Sequence, residues 1–173
     1  MTGEENKQPK KKRILHPNSF FHIYNRGNRK KQLFYSEKDY RVFLGLLSKY
    51  LNVYNQLNLF TYCLMPNHFH LLLKTSSETQ DLVKLMHRSM TSYAIYFNKR
   101  YQQTGHVFES RYKSKYLPQE KDVKRVFDYI TDNPVKAELC RNPEDYKWLW
   151  TSELLFLSFK KSQTVERITL SPF

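Results

Sequence analysis

The chain has 173 residues, of which 40% are hydrophobic, and carries 29 Lys+Arg against 16 Asp+Glu for a formal net charge of +13. That length supports one domain with a core, and no apolar run approaches the roughly 20 residues that cross a bilayer. The charge excess points to a polyanion, nucleic acid first, and a membrane surface is the weaker alternative because no segment is a clean basic amphipathic helix with an exposed apolar face.

In chain order, "MTGEENKQPKKKR" is acidic and then basic without an apolar h-region, unlike a secretory signal. Residues 1–18 read as a basic disordered arm ending at Pro17-Asn18, and "PKKKR" within it is either a DNA-clamping element or a solvated tail. "SFFHIYNRG", 19–27, reads as a strand stopped by Gly27. A helix is expected over 36–56, with Ser36 as N-cap, Asp39 three residues on, and Tyr40, Phe43, Leu44, Leu47, Leu51 and Tyr54 at helical spacing. "NLFTYCLM", 58–65, and "HFHLLLK", 68–74, form a hairpin around Pro66-Asn67. A long helix covers 76–103 and is closed by Gly105, and a loop and fourth strand follow in "HVFESRYKSKYL". The next helix starts at Pro118 and stops before Pro134, and a short helix is expected near 151–159. Cys63 and Cys140 are far apart and match no metal spacing, so both read as reduced thiols of a cytoplasmic protein.

The order strand, helix, strand, strand, helix, strand doubles a split β-α-β unit. It predicts an α+β, ferredoxin-like (RRM-like) antiparallel sheet with helices on one face. The histidine strand would be central, the other face open for binding, and a C-terminal extension would follow a single domain over 19–150.

In "LMPNHFHLLLK", 64–74, strand alternation puts His68 and His70 on one face and Phe69 on the other. The imidazoles would stand roughly 6 to 7 Å apart along the strand, close enough to share a metal ion. A pair of hydrogen-bonded histidines is the plainer reading of that spacing alone. In "FDYITDNPV", 127–135, Tyr129 and Asn133 lie one helical turn apart on one face, and Arg125 lies one turn earlier. Arg125 would favour a tyrosinate or bind a phosphate, while a core tyrosine and a C-capping asparagine are the structural alternatives.

Aromatic residues reach 16%, and many sit beside basic ones, as in Arg111-Tyr112-Lys113. Such pairs suit phosphates and unpaired bases, although most aromatics, Phe20, Phe43 and Phe60 among them, are expected in the core. Arg26, Arg29, Lys30 and Lys31 after the first strand, and Arg111, Tyr112 and Lys113, are the expected DNA contacts, with Arg125. His22 reads as a packed histidine that could flank the site.

"MPNHFHLLLK", "GHVFESRYKSKYL" and "DYITDNPVKAEL", in that order and spacing, together with the opening "FFHIYNRGNRKKQLF", resemble the REP-associated tyrosine transposases. These are IS200-like members of the HUH superfamily of single-tyrosine transposases, named for a His-hydrophobe-His motif, here His68-Phe69-His70. The resemblance runs from about Phe20 to Trp150. It implies a divalent metal, Mg²⁺ or Mn²⁺, held by His68 and His70, with Asn133 where relatives carry a glutamine or asparagine as third ligand. It implies Tyr129 as nucleophile, single-stranded or hairpin DNA as substrate, a 5′-phosphotyrosine intermediate, and a monomer or homodimer. No G-x-x-x-x-G-K-[ST] loop is present, consistent with rejoining strands without ATP.

Two other readings compete. A non-catalytic single-stranded nucleic-acid-binding module would place aromatics where the histidines stand. A metal-dependent nuclease using water would need a carboxylate base, for which Asp128 and Asp132 are the candidates.

Overall fold

The computed structural model describes residues 15–152. Most of the expected arm, including "PKKKR", and the 153–159 part of the expected C-terminal helix lie outside the described residues. The elements run β1 (Phe20–Arg26), α1 (Glu37–Val53), β2 (Asn58–Met65), β3 (His68–Lys74), α2 (Gln80–Arg100), β4 (Lys113–Leu117), α3 (Glu120–Lys136) and β5 (Leu149–Thr151). All strand pairs are antiparallel, in the order β4-β1-β3-β2-β5. The histidine strand β3 is central, as expected. Thr151 is a strand residue in β5 rather than part of a helix.

Alternation along the strands builds two cores. Phe21, Ile23, Phe69, Leu71 and Leu73 face Phe43 and Leu47 of α1 and Leu82, Leu85, Met86 and Tyr93 of α2. The opposite face carries Cys63, Met65, Leu72 and Leu117, which pack against Val123, Val126, Phe127 and Ile130 of α3. The second face, expected from the sequence to be open, is instead partly covered by α3. Positions 123, 126, 127 and 130 of α3 follow the three-and-four spacing of one helical face, so this helix too has an apolar side to bury.

Pro66-Asn67 makes a two-residue turn that sets Met65 opposite His68. The 27–34 loop clamps the turn: Leu33 N and Phe34 N donate to Pro66 O at 2.8 and 3.1 Å, and Gly27 N donates to Asn67 O at 2.8 Å. Gly27 is required for space, because a Cβ there would stand 2.0 Å from the Lys31 carbonyl oxygen.

Ser36 starts α1, and the Asp39 carboxylate accepts from Ser36 N at 2.8 Å, which is the return half of a capping box. The helix α3 does not stop before Pro134 but runs to Lys136. A proline in the last turn forfeits only the one hydrogen bond its missing N–H would make. The end is closed by Glu138 at φ 57, with Glu138 N donating to Val135 O and Leu139 N to Pro134 O, each at 2.9 Å, the pairing of a Schellman motif. Asn133 is thus inside the last turn and is not the cap.

Candidate active site on the histidine face

The β1–β3 register sets Tyr24 opposite His70 and Arg26 opposite His68, so His22, Tyr24, Arg26, His68 and His70 share a sheet face. The same face is crossed by α3. The Tyr129 ring lies 5.3 Å from His70 and 6.0 Å from His22, centroid to centroid, edge-on to both. Asn133 Oδ1 stands 3.4 Å from His68 Nε2. The sequence-predicted His68, His70, Tyr129 and Asn133 are therefore brought together, and Tyr129 remains 44% exposed at the rim.

Burial pushes the His70 pKa down to about 2, with the neighbouring His22 and His68 acting in the same direction. Burial, with the Lys115 charge, lowers His22 to about 4. His68 is also lowered, first by burial, against the Asn133 amide oxygen, which favours the protonated ring. All three imidazoles are neutral near neutral pH, which is the form that ligates metals.

The hydrogen bonds say which nitrogens are bare. His68 Nδ1 is 2.6 Å from Asn67 Oδ1, while Asn67 Nδ2 donates to Lys30 O at 3.4 Å. An amide oxygen only accepts, so His68 Nδ1 carries the proton and Nε2 presents a lone pair. That lone pair faces another acceptor, Asn133 Oδ1. Two ligands about 2.1 Å from one ion stand roughly 3 to 3.4 Å apart, so the pair suits a shared cation. His70 Nε2 is buried with no hydrogen-bond partner, and the His68 and His70 ring centroids are 5.0 Å apart. These donors fit a divalent ion held by His68, His70 and Asn133. Among the described residues no cluster of three or more His, Cys, Asp or Glu could hold a metal; the third donor of the expected set is an amide oxygen, that of Asn133.

The expected DNA contacts divide. Arg29, Lys30 and Lys31 are exposed on the turn after β1, with Arg29 and Lys30 at φ 53 and 60. Arg111 and Lys113 are exposed, and Lys113 lies opposite Tyr24 on the histidine face. Arg26 is held by Glu109 in a two-point fork, at 2.6 Å from Nε and 2.6 Å from Nη2. Arg125 is exposed and donates to Asp122 at 2.6 Å. Tyr112 is corrected: it is 5% exposed and belongs to the core with α2, leaving no ring face for a base. The two carboxylates that a hydrolytic reading would use are engaged along α3, Asp128 by Lys124 at 3.0 Å and Asp132 by Lys136 at 3.3 Å. Tyr129 lines an open groove on α3 with Lys121, Lys124, Arg125, Asp128, Asp132 and Lys136.

Sequence reasoning assigned no role to Asn67, Lys115 or Glu109 and read His22 as packing. The period-two pattern His22, Tyr24, Arg26 in β1 and Lys113, Lys115 in β4 carries a signal for two of them, His22 and Lys115, but only the strand register shows that these side chains meet.

Residues 16–133 match the family described as Transposase IS200 like. Among solved structures, the chain is similar to a REP-associated tyrosine transposase bound to a REP hairpin, with 15% identity, a TM-score of 0.68 and 82% of each chain covered. A second similar structure, described as a transposase from Deinococcus radiodurans R1, is 22% identical with a TM-score of 0.47, covering 70% of this chain and 95% of that one. No curated protein matches. With more than half of its length matched by the family, over a span that holds both histidines, the tyrosine and the asparagine, this chain belongs to the IS200-like transposases.

Proposed function

We propose that this transposase cleaves and rejoins single-stranded DNA through Tyr129, with His68, His70 and Asn133 holding a divalent metal, Mg²⁺ or Mn²⁺. The observation that carries the reading is the convergence of a half-exposed tyrosine with neutral imidazoles and an amide oxygen from β3 and α3. The structural relative bound to a REP hairpin supports hairpin DNA as the substrate class, and the +13 charge supports a polyanion generally.

When bound, the metal neutralises charge developing on the scissile phosphate. The chain's own residues do the rest. The Tyr129 hydroxyl loses its proton as its oxygen bonds to phosphorus. The bond from phosphorus to the 3′ oxygen breaks, and that oxygen leaves with a proton as a free 3′-OH. The product is a 5′-phosphotyrosine, and attack by a 3′-OH restores the DNA and the tyrosine, so no ATP is consumed. Burial of His70 excludes water from behind the site, while the exposed edge of Tyr129 admits the strand. Exposed Arg29, Lys30, Lys31, Arg111 and Lys113 grip phosphates. Arg26 and Arg125 join them once DNA displaces their carboxylate partners. The cytoplasm, where both thiols stay reduced, is the proposed site of action.

The test is incubation of the purified chain with an end-labelled single-stranded hairpin drawn from the flanks of its own gene. The wild type forms an adduct stable to denaturation, with DNA joined through its 5′ end. Tyr129→Phe keeps the ring and its packing, binds the hairpin, and forms none. An adduct mapped to another tyrosine, or metal-dependent nicking without an adduct, overturns the reading.

A further inference from the structure

We propose that His22 is a positioning residue that accepts the His70 Nδ1 proton and so holds His70 in the tautomer whose Nε2 can bind the metal. This rests on the reading of His68, His70 and Asn133 as the metal site.

His22 Nε2 and His70 Nδ1 are 3.0 Å apart in the interior, and the rings are 5.1 Å apart at 35°. A hydrogen bond between two neutral imidazoles uses one proton, which leaves two arrangements. In the first, His22 donates. His70 must then carry its own proton on Nε2, where it is buried with no acceptor, and an unpaired buried N–H is costly. In the second, His70 Nδ1 donates to His22 Nε2, and His70 Nε2 presents a lone pair into the site.

Only the second arrangement makes His70 a ligand. A metal-bound histidine that donates its other N–H to a neighbouring acceptor has its ring orientation and tautomer fixed by that neighbour. His68 has such a partner in Asn67. His22 is the corresponding partner for His70, contributed by β1 across the register His22↔Leu72 and Tyr24↔His70. Each ligand histidine thus has an acceptor behind it, one from the hairpin turn and one from the neighbouring strand. His22 is 7% exposed and its Nε2 is engaged by His70, so its effect passes through His70.

Two measurements on the full chain test this. In the metal-free wild type, long-range ¹H–¹⁵N correlation spectra assign the ring nitrogens of His70; the proton is expected on Nδ1. A proton found on Nε2 overturns the proposal whatever any variant does. Mn²⁺ affinity is then measured by the signal of free Mn²⁺ in electron paramagnetic resonance. His22→Phe, which keeps a ring but no acceptor, is expected to weaken Mn²⁺ binding about 10-fold or more. His22→Gln, whose side-chain oxygen accepts, is expected to recover most of the loss. Equal loss in both variants assigns the effect to packing and overturns the proposal, as does unchanged binding in His22→Phe alongside loss in His70→Ala. If His70→Ala itself binds Mn²⁺ like the wild type, the metal-site reading fails and the proposal with it.

Discussion

Asn133 Oδ1 and His68 Nε2 face each other at 3.4 Å across 65 residues of sequence, joining the last turn of α3 to the first residue of β3. Because both atoms are acceptors in the tautomer set by Asn67, the contact gains most when a cation lies between them. Asn133→Ala should therefore weaken Mn²⁺ binding and slow cleavage, while leaving an adduct detectable at raised metal concentration. Asn133→Asp, which keeps an oxygen and adds a charge, should bind metal at least as well as wild type in the same titration. Chelation should stop cleavage and leave most hairpin binding intact, since the proposed phosphate contacts come from many cations. Undiminished cleavage in EDTA would remove the metal from the mechanism.

Glu109 occupies the fork of Arg26 beside His68, as a phosphate would. Glu109→Gln removes one negative charge and frees the guanidinium. Binding to single-stranded DNA should tighten several-fold at low salt. The slope of log affinity against log salt should steepen by about 0.7, the increment for one more phosphate contact on a single strand. Fluorescence-anisotropy titrations at several salt concentrations give both numbers. A shallower slope or weaker binding would show that the pair serves to place Arg26 and not to restrain it.

The hairpin, the Ser36 cap and the pairing of His68 with His70 were legible because each depends on neighbours in sequence: a Pro-Asn turn, a serine three residues before an aspartate, a period of two. What escaped depends on distant partners. Arg26 meets Glu109 across 83 residues and His22 meets His70 across 48, and no local pattern encodes either register. Tyr112 sits between two basic residues, yet just ahead of β4 it packs inward, so composition alone mistook a core ring for a surface one. Pro134 read as a helix stop, but in a last turn it forfeits a single bond, and this places Asn133 within α3. The second helical face of the sheet was missed because a split β-α-β plan does not say where a third helix packs.

Gly27 N holds Asn67 O, and Asn67 Oδ1 holds His68, so the glycine acts on the site through two hydrogen bonds. Gly27→Ala would drive a Cβ to 2.0 Å from the Lys31 carbonyl oxygen, a backbone atom that cannot rotate away. The turn must open. Overpacking of this kind costs about 1–3 kcal/mol. The urea midpoint should fall accordingly, and Mn²⁺ affinity should fall with it. A normal midpoint with normal metal binding would mean that the turn has another conformation of equal stability.

Asp39 offers a pH test away from the chemistry. Its side chain is fully buried between α1 and α2 and accepts from Ser36 N, Tyr35 N, Tyr96 OH and Tyr101 OH at 2.8, 2.9, 2.9 and 2.6 Å, with Arg100 Nε at 3.4 Å. Burial by itself would raise the carboxyl pKa, but the tyrosine and Ser36 hydrogen bonds outweigh it and the net shift is downward. A folded pKa below the unfolded one means that the folded state releases this proton more readily. The stabilisation is then fully present above the unfolded value of about 3.9, and it is lost as pH falls through the folded value. Asp39→Asn keeps the shape but replaces one acceptor oxygen by a donor that faces other donors. It should cost about 3 kcal/mol at pH 7, the scale for breaking a buried charged network. The gap between the urea midpoints of wild type and variant should therefore be constant from pH 7 to about 5 and should narrow only in stronger acid. A gap that widens on acidification would mean that the carboxyl is protonated in the folded state, and that these donors are not what sets its charge.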